Sequence, residues 1–414
     1  MTDSPACQAC GHPLTRSLVD LGDQPLANSY IPLDRADAPE PVFPLHARVC
    51  DKCLLVQVDP VSRPEDIFTD YAYFSSFSDS WLAHCWAYVA AMVDRFALDE
   101  RSRVVEIASN DGYMLQYFVE RGVPVLGVEP AANVAATAIA RGVPTDIAFF
   151  GADTARRLVA EGGAADLVAA KNVLAHVPDI NDFVAGVALL LKPDGVFTVE
   201  FPHLLNLIRE VQFDTIYHEH YTYLSLLALE RIFARHGLAI FDVEPQPTHG
   251  GSLRVFAARA DGDREPSARV AEVRAEEVAA RLNQAAGYAG FDARVRAVRE
   301  GLRAFLDGAR AEGKSVAGYG AAAKGNTLFN YCHVTPGDVA FVVDRNPAKQ
   351  GTLLPGSRIP VRAVEALVEA APDYVLILPW NLCAEIIGQL SEVATRGGVF
   401  VTAIPAIRIR RGED

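Results

Sequence analysis

The stretch Arg103–Glu129, RVVEIASNDGYMLQYFVERGVPVLGVE, holds two strand signals around one helix signal. Val104-Val-Glu-Ile107 is a short apolar run of the kind buried on both faces of a parallel sheet. Ala108-Ser-Asn-Asp-Gly112 is a polar turn, and Tyr113-Met-Leu-Gln-Tyr-Phe118 opens a helix. A second run, Val123-Pro-Val-Leu-Gly-Val128, ends on Glu129-Pro130. Strand, turn, helix and strand make a βαβ unit, so an α/β fold is expected here.

The polar residues of this unit have a chemical use. Glu106, ending the first strand, can hold a cationic amino group. The small residues of the turn allow a cofactor to approach the backbone closely. Glu129, at the tip of the second strand, can accept both hydroxyls of a ribose, as acids at that place do in dinucleotide folds. The turn has one glycine, Gly112, and no G-x-G-x-x-G to cradle a pyrophosphate, which argues against NAD at this site. Asp166–Asn172 reads as the fourth strand and brings Lys171 and Asn172 to the same edge, ahead of His176. The expected cofactor is S-adenosylmethionine, held by Glu106, Ser109, Asn110, Asp111, Gly112, Glu129, Lys171 and Asn172.

Toward the N-terminus, Cys7-x-x-Cys10 and Cys50-x-x-Cys53 are two C-x-x-C pairs, using four of the seven cysteines of the chain. Four thiolates presented in pairs close a tetrahedral structural zinc site, with no position left for a reacting water. The run Tyr71-Ala-Tyr73-Phe-Ser75-Ser76 occupies the junction with the α/β region, where a cleft is expected.

Toward the C-terminus, Asp214–Tyr221 packs six ionisable side chains into eight residues. Its H-E-x-H lacks the i, i+4 histidine spacing of a zinc helix. Acid–base work by a histidine near neutral pKa fits better. Further on, Val316–Thr327 reads as a strand, a Gly-rich turn and a helix start. Gly320, Lys324 and Asn326 there, with Asp344 ending the next strand, could hold a phosphate or ribose.

The bulk numbers agree. A chain of 414 residues exceeds what one core serves. Three regions are expected: a zinc-binding domain at 1–75, a methyltransferase domain at 76–262, and a helical linker with a C-terminal α/β domain at 263–414. The net charge of −14, without any basic run, argues against nucleic acid. No secretory signal and no stretch of about 18 uncharged apolar residues is visible, so a cytoplasmic protein with reduced cysteines is expected and no membrane partner. The oligomeric state stays open, a monomer being compatible with the sequence.

Taken together, the motifs resemble the nucleotide-sugar C-methyltransferases of deoxysugar biosynthesis, notably the sugar C-3-methyltransferases. The resemblance rests on the paired C-x-x-C motifs, the run Tyr71–Ser78, the turn Glu106–Gly112, Tyr217-His-Glu-His-Tyr221, Thr248-His-Gly-Gly-Ser-Leu-Arg254 and Gly318–Thr327, with Ala322 where the family is expected to have proline. It implies an N-terminal zinc-binding module, a central Rossmann-like methyltransferase domain and a C-terminal Rossmann-like α/β domain. It also implies a dTDP-linked 4-keto sugar as partner, deprotonated at C-3 and methylated on the enolate carbon. By resemblance His220 is the base; Tyr217, Glu219, His176 and Tyr71 surround the reacting carbon. Tyr73, Ser75, Ser76, Gly320, Lys324, Asn326 and Asp344 hold the sugar nucleotide. Two other readings stay open: an NAD-dependent oxidoreductase acting on a nucleotide sugar through the C-terminal domain, and a non-catalytic zinc scaffold.

Overall fold

The central sheet has seven strands, and the apolar runs around Val104 bury both its faces, as strands covered by helices on either side do. A computed structural model describes residues 5–61, 75–77 and 79–411; Tyr71 and Tyr73 lie outside the described residues. From one edge to the other the strands are Thr145–Asp146, Val125–Val128, Val104–Ile107, Ala165–Lys171, Leu191–Pro202, Ser252–Arg259 and Leu238–Gln246. In chain order that is 3-2-1-4-5-7-6. The first five strands are mutually parallel, and Ser252–Arg259 runs antiparallel between its two neighbours. A six-stranded dinucleotide sheet has no such inserted strand. The order reverses between Val104–Ile107 and Ala165–Lys171, so the crevice beyond their carboxyl ends is where a ligand binds.

The turn leaving Val104–Ile107 is bent sharply. Ala108, Asn110 and Gly112 all have positive φ, at 55°, 49° and 76°. A non-glycine residue rarely takes this conformation, and its clustering marks a turn held by its surroundings. Gly112 is required: besides its φ, a Cβ there would lie 3.0 Å from Val143.

A second sheet of six strands occupies the C-terminal part: Val361–Arg362, Val342–Val343, Val316–Tyr319, Tyr374–Ile377, Val399–Thr402 and the antiparallel Arg408–Arg411. Its order is 3-2-1-4-5-6. The reversal falls between Val316–Tyr319 and Tyr374–Ile377, where Gly320 and Trp380 lie.

The N-terminal segment ties these parts together by main-chain pairing. Arg16–Gln24, Phe43–Val49 and Val56–Gln57 form a sheet whose fourth strand is Thr222–Tyr223, directly after the ionisable block. Ile31–Pro32 pairs with Thr352–Leu353 of the C-terminal region. One buried core accordingly runs from Val19 and Leu45 through Phe213 and Ile216 to Phe329 and Leu376. The helix Ala268–Ala279 lies on the central region. Its Glu277 accepts from the backbone N–H groups of Leu226 and Leu227 at 2.6 and 2.9 Å, capping the helix Leu226–Arg235 from outside the local sequence. Among the described residues, no helix is long and apolar enough to cross a membrane.

Candidate active site and metal centre

The four predicted thiols converge. The sulfurs of Cys7, Cys10, Cys50 and Cys53 all lie within 4.8 Å of one another, with Cys7–Cys53 and Cys10–Cys50 at 3.5 Å and no disulfide. A tetrahedron of thiolates about 2.3 Å from zinc has edges of about 3.8 Å, so the cluster fits the ion. The two C-x-x-C turns are alike. Gly11 and Leu54 take positive φ at 69° and 68°, letting their N–H groups bond back to the carbonyls of Cys7 and Cys50. Gln57 donates to Cys7 Sγ at 3.2 Å and accepts from Gln8 N at 2.8 Å.

At the central crevice, Glu106 is fully buried and neither carboxylate oxygen has a well-formed hydrogen bond. Burial drives its pKa well above the ordinary carboxylate range, opposed by the adjacent Tyr113 hydroxyl and the Lys171 ammonium. Ser109 Oγ, Asp111 Oδ1 and Asn172 Oδ1 are also buried without a partner. Glu129 accepts from the N–H groups of Asn110 and Ala131, both at 2.9 Å, which fixes the turn beside it and leaves each oxygen a second lone pair. Unmet buried acceptors around an open turn suit a cationic, hydroxyl-bearing molecule, so the expected S-adenosylmethionine fits. Ser109 serves the sheet more than the crevice: its Oγ fills the space where a Cβ on Gly127 would be only 2.3 Å away.

Lys171 belongs to a buried ion network. Its Nζ lies 2.8 Å from Glu200, which also meets Arg254 at 3.1 Å and His84 at 2.8 Å; the ammonium sits 4.0 Å over the Tyr88 ring. Although burial alone would raise it, these cations hold the Glu200 carboxylate well below its usual range. Trp81 stacks on His84, tilts against Tyr113 and meets His249 edge-on, with ring centres 5.1, 6.0 and 5.4 Å apart. These ring contacts link Tyr113, beside Glu106, to His249 and so to the cluster of histidines.

In that cluster His220 Nδ1 is 2.8 Å from the Thr215 carbonyl and Nε2 is 2.7 Å from the Tyr217 hydroxyl. The carbonyl can only accept, which assigns the proton to Nδ1 and the lone pair to Nε2. Burial and the neighbouring His176 keep the His220 pKa well below its usual value, so the ring is neutral at physiological pH. His176 packs edge-on at 4.6 Å between ring centres, is bonded to the Glu219 carbonyl, and has a pKa lowered to about 4 by burial. Tyr217, His220 and His176 are therefore together, as predicted.

Several predicted residues have other placements. The Glu219 carboxylate is held by Asn28 Nδ2 at 2.7 Å, and burial raises its pKa to about 7. Ser75 donates through its N–H to Asn110 Oδ1 at 2.9 Å, and Ser76 through its hydroxyl to Asp111, so both fasten the donor turn. Asn326 is buried and donates to the Ala27 carbonyl at 2.6 Å. Asp344 accepts from the N–H groups of Ala321 and Asn346, both at 2.8 Å, shaping the turn at Gly320.

Sequence models match in three consecutive blocks: a zinc binding domain at 7–68, a methyltransferase domain at 81–243 and a C-methyltransferase C-terminal domain at 247–405. The C-methyltransferase NovU of Streptomyces niveus is 40% identical over 408 residues, 99% of this chain and 97% of that protein. The chain belongs to the C-methyltransferase family. Solved structures align over less than half of it: the PH0226 protein of Pyrococcus horikoshii OT3 over 47% of this chain and 97% of that one (16% identity, TM-score 0.36), and magnesium protoporphyrin IX methyltransferase of Synechocystis PCC 6803 over 43% and 83% (18%, 0.35). Likeness this slight carries no argument.

The site of this C-methyltransferase also contains residues to which the sequence reading gave no role. His249, at φ 54°, lies in the turn Thr248–Gly251, where a Cβ on Gly250 would be 2.4 Å from Trp380. Trp380 Nε1 donates to Asp214 Oδ2 at 2.7 Å. The Thr248-His-Gly-Gly251 motif was visible in sequence; the close approach of Trp380 that demands its glycine was not.

Three measurements check this site. Removing zinc, or Cys50→Ser, should lower the unfolding temperature by roughly 3–5 °C, from a loss of about 3 kcal/mol, and elemental analysis should find one zinc per chain. Glu106→Gln should weaken S-adenosylhomocysteine binding by roughly 10- to 100-fold in calorimetry, an ion pair being worth about 1.5–3 kcal/mol. For Glu219 the folded pKa lies above the unfolded one, so the folded chain binds the extra proton and stability falls as pH rises from about 4.5 to about 7. Glu219→Gln should therefore stabilise the protein by up to about 3 kcal/mol at pH 8, with the gain vanishing below pH 4.5 in denaturant titrations.

Proposed function

We propose that this C-methyltransferase uses S-adenosylmethionine to methylate C-3 of a dTDP-linked 4-keto deoxysugar. The observation that carries the reading is the His220 imidazole, neutral and fixed by the Thr215 carbonyl, at the end of a crevice whose other end has the unmet carboxylate of Glu106. A carbon acid beside a ketone needs a base, a group for the enolate oxygen and a nearby methyl cation equivalent. S-adenosylmethionine supplies the methyl group.

His220 Nε2 takes the C-3 proton, and the C–H electron pair moves into the C–C bond while the ketone oxygen gains charge. Tyr217, whose hydroxyl caps Nε2 at rest, is freed to donate to that oxygen. His176, neutral, packs on the base and keeps the pocket apolar. Glu219 acts indirectly, its carbonyl fixing His176. Gly320 and the turn that Asp344 shapes are assigned to the sugar-nucleotide side, with Tyr71 and Tyr73, by resemblance. A cytoplasmic enzyme acting on a small molecule is consistent with the reduced cysteines.

The NAD reading draws support from the 3-2-1-4-5-6 order of the C-terminal sheet with a glycine at its reversal. Against it, Lys349 reaches into the turn, 3.9 Å from Asp344, and with Tyr30 donates to the Ala321 carbonyl where a nucleotide would lie. Calorimetry with NAD separates the two.

A panel of dTDP-4-keto sugars assayed by mass spectrometry should reveal one that gains a single methyl group, which NMR should place on C-3. Placement on C-5, the other carbon beside the ketone, would revise the position; transfer to no sugar would refute the substrate class. His220→Gln should cut turnover by roughly 10²–10⁴-fold, with S-adenosylhomocysteine affinity near wild type.

A further inference from the structure

The helix Ala323–Tyr331 starts on the Gly-rich turn and is pinned to the catalytic segment by Thr327, whose Oγ1 donates to the Ile216 carbonyl at 3.1 Å. Lys324 lies one turn earlier on the same face. Its ammonium donates to Asn381 Oδ1 at 2.7 Å and sits 4.8 Å over the ring centre of Trp380. Trp380 in turn holds one oxygen of Asp214, whose other oxygen is buried without a partner. Of the three N–H donors of the ammonium, the Asn381 contact uses one. Among the described residues Lys324 forms no ion pair.

A lysine serving a diphosphate would stand at the mouth of the turn. This one lies over the ring of Trp380, against which the Gly250 turn next to His249 packs. Its charge lowers the pKa of both His220 and His249, while the Asp214 carboxylate supports its own protonation against burial. We infer that Lys324 is a catalytic residue, its ammonium hydrogen-bonding the ketone oxygen of the acceptor as that oxygen becomes an enolate, with Asn381, Trp380 and Asp214 fixing it there. The inference rests on the acceptor being a keto sugar, as proposed above. As His220 Nε2 removes the proton, the carbonyl π pair moves onto oxygen against the ammonium. When the carbon then forms its bond to the methyl group, that pair returns to the C=O bond and the sulfur–methyl pair leaves with sulfur. The ammonium keeps its protons throughout.

The test separates proton removal from methyl transfer. Wild type, Lys324→Met and Lys324→Arg are incubated in D2O with S-adenosylhomocysteine and a dTDP-4-keto-6-deoxy sugar. NMR follows deuterium entering the carbon beside the ketone, and calorimetry gives the sugar affinity. Lys324→Met should slow both deuterium entry and methyl transfer by about 10²–10³-fold, with sugar affinity little changed, and Lys324→Arg should recover part of the rate. A tenfold or greater loss of sugar affinity with unchanged exchange at saturation would make Lys324 a phosphate ligand and overturn the inference. Should the Met variant lose its fold, Lys324→Gln gives the same comparison. Absence of exchange by wild type with every keto sugar sinks the substrate reading itself, and this inference with it.

Discussion

Gln57 connects the metal to the chemistry. Its side chain donates to Cys7 Sγ and accepts from Gln8 N, while its backbone pairs in an antiparallel register with Thr222. Thr222 lies two residues after His220, and Val56 pairs with Tyr223 beside it. A zinc ion holding four thiolates thus sets a strand, and the strand sets the far end of the catalytic block. The near end is set by Thr215, whose carbonyl orients the imidazole, and by Thr327 bonding to Ile216. A base held from both sides loses little freedom when it acts, which is where positioning contributes to rate. On this view the structural zinc, closed to substrate, still matters to catalysis through geometry.

Charge in the site is arranged with similar economy. The histidines His220, His176 and His218 are all kept below their ordinary pKa, first of all by burial. A neutral imidazole can accept a proton; a charged one could not. The cations Lys171 and Arg254 share the Glu200 carboxylate, Arg254 also meeting Glu244 at 3.0 Å, and both face the aromatic ring of Tyr88. Glu106 is buried in the crevice without an ion pair, and burial holds its carboxyl toward the protonated form. A cationic ligand arriving beside it would favour the carboxylate, so ligand binding and release of that proton are linked.

The legible part of the fold was local. The strand at Val104, the polar turn, the acid at Glu129 and the paired C-x-x-C turns each follow from neighbours in sequence, and the structure has them. What sequence left hidden depends on contacts across tens to hundreds of residues. Nothing local announces that Thr222–Tyr223 completes the zinc module's sheet, or that Glu277 caps a helix beginning at Leu226. The same holds for side-chain direction. Tyr217, Glu219 and His220 are near neighbours in one block, yet Glu219 turns its carboxylate to Asn28 while His220 meets Tyr217. Ser75, Ser76 and Asn326 are each bonded to protein groups that only the folded chain brings near.

The C-terminal region repeats the logic of the central one with a different outcome. Both sheets reverse strand order at a turn that begins with a positive-φ residue, Ala108 in one and Gly320 in the other. In the central turn the carboxylates remain open or half open, which suits a ligand. In the C-terminal turn Asp344 bonds to the amide of Ala321, while Tyr30 and Lys349 both donate to its carbonyl. The protein's own Tyr30 and Lys349 thereby occupy the carbonyl at the centre of that turn. A fold able to bind a cofactor has become a wall: it turns Lys324 and Trp380 inward toward Asp214 and the histidines. The carbonyl of Ala321 is also where the N-terminal segment fastens to that wall. The cleft therefore draws residues from three distant parts of the chain, tied to one another by the pairing of Thr222 with Gln57 and the bonds of Thr327 and Tyr30.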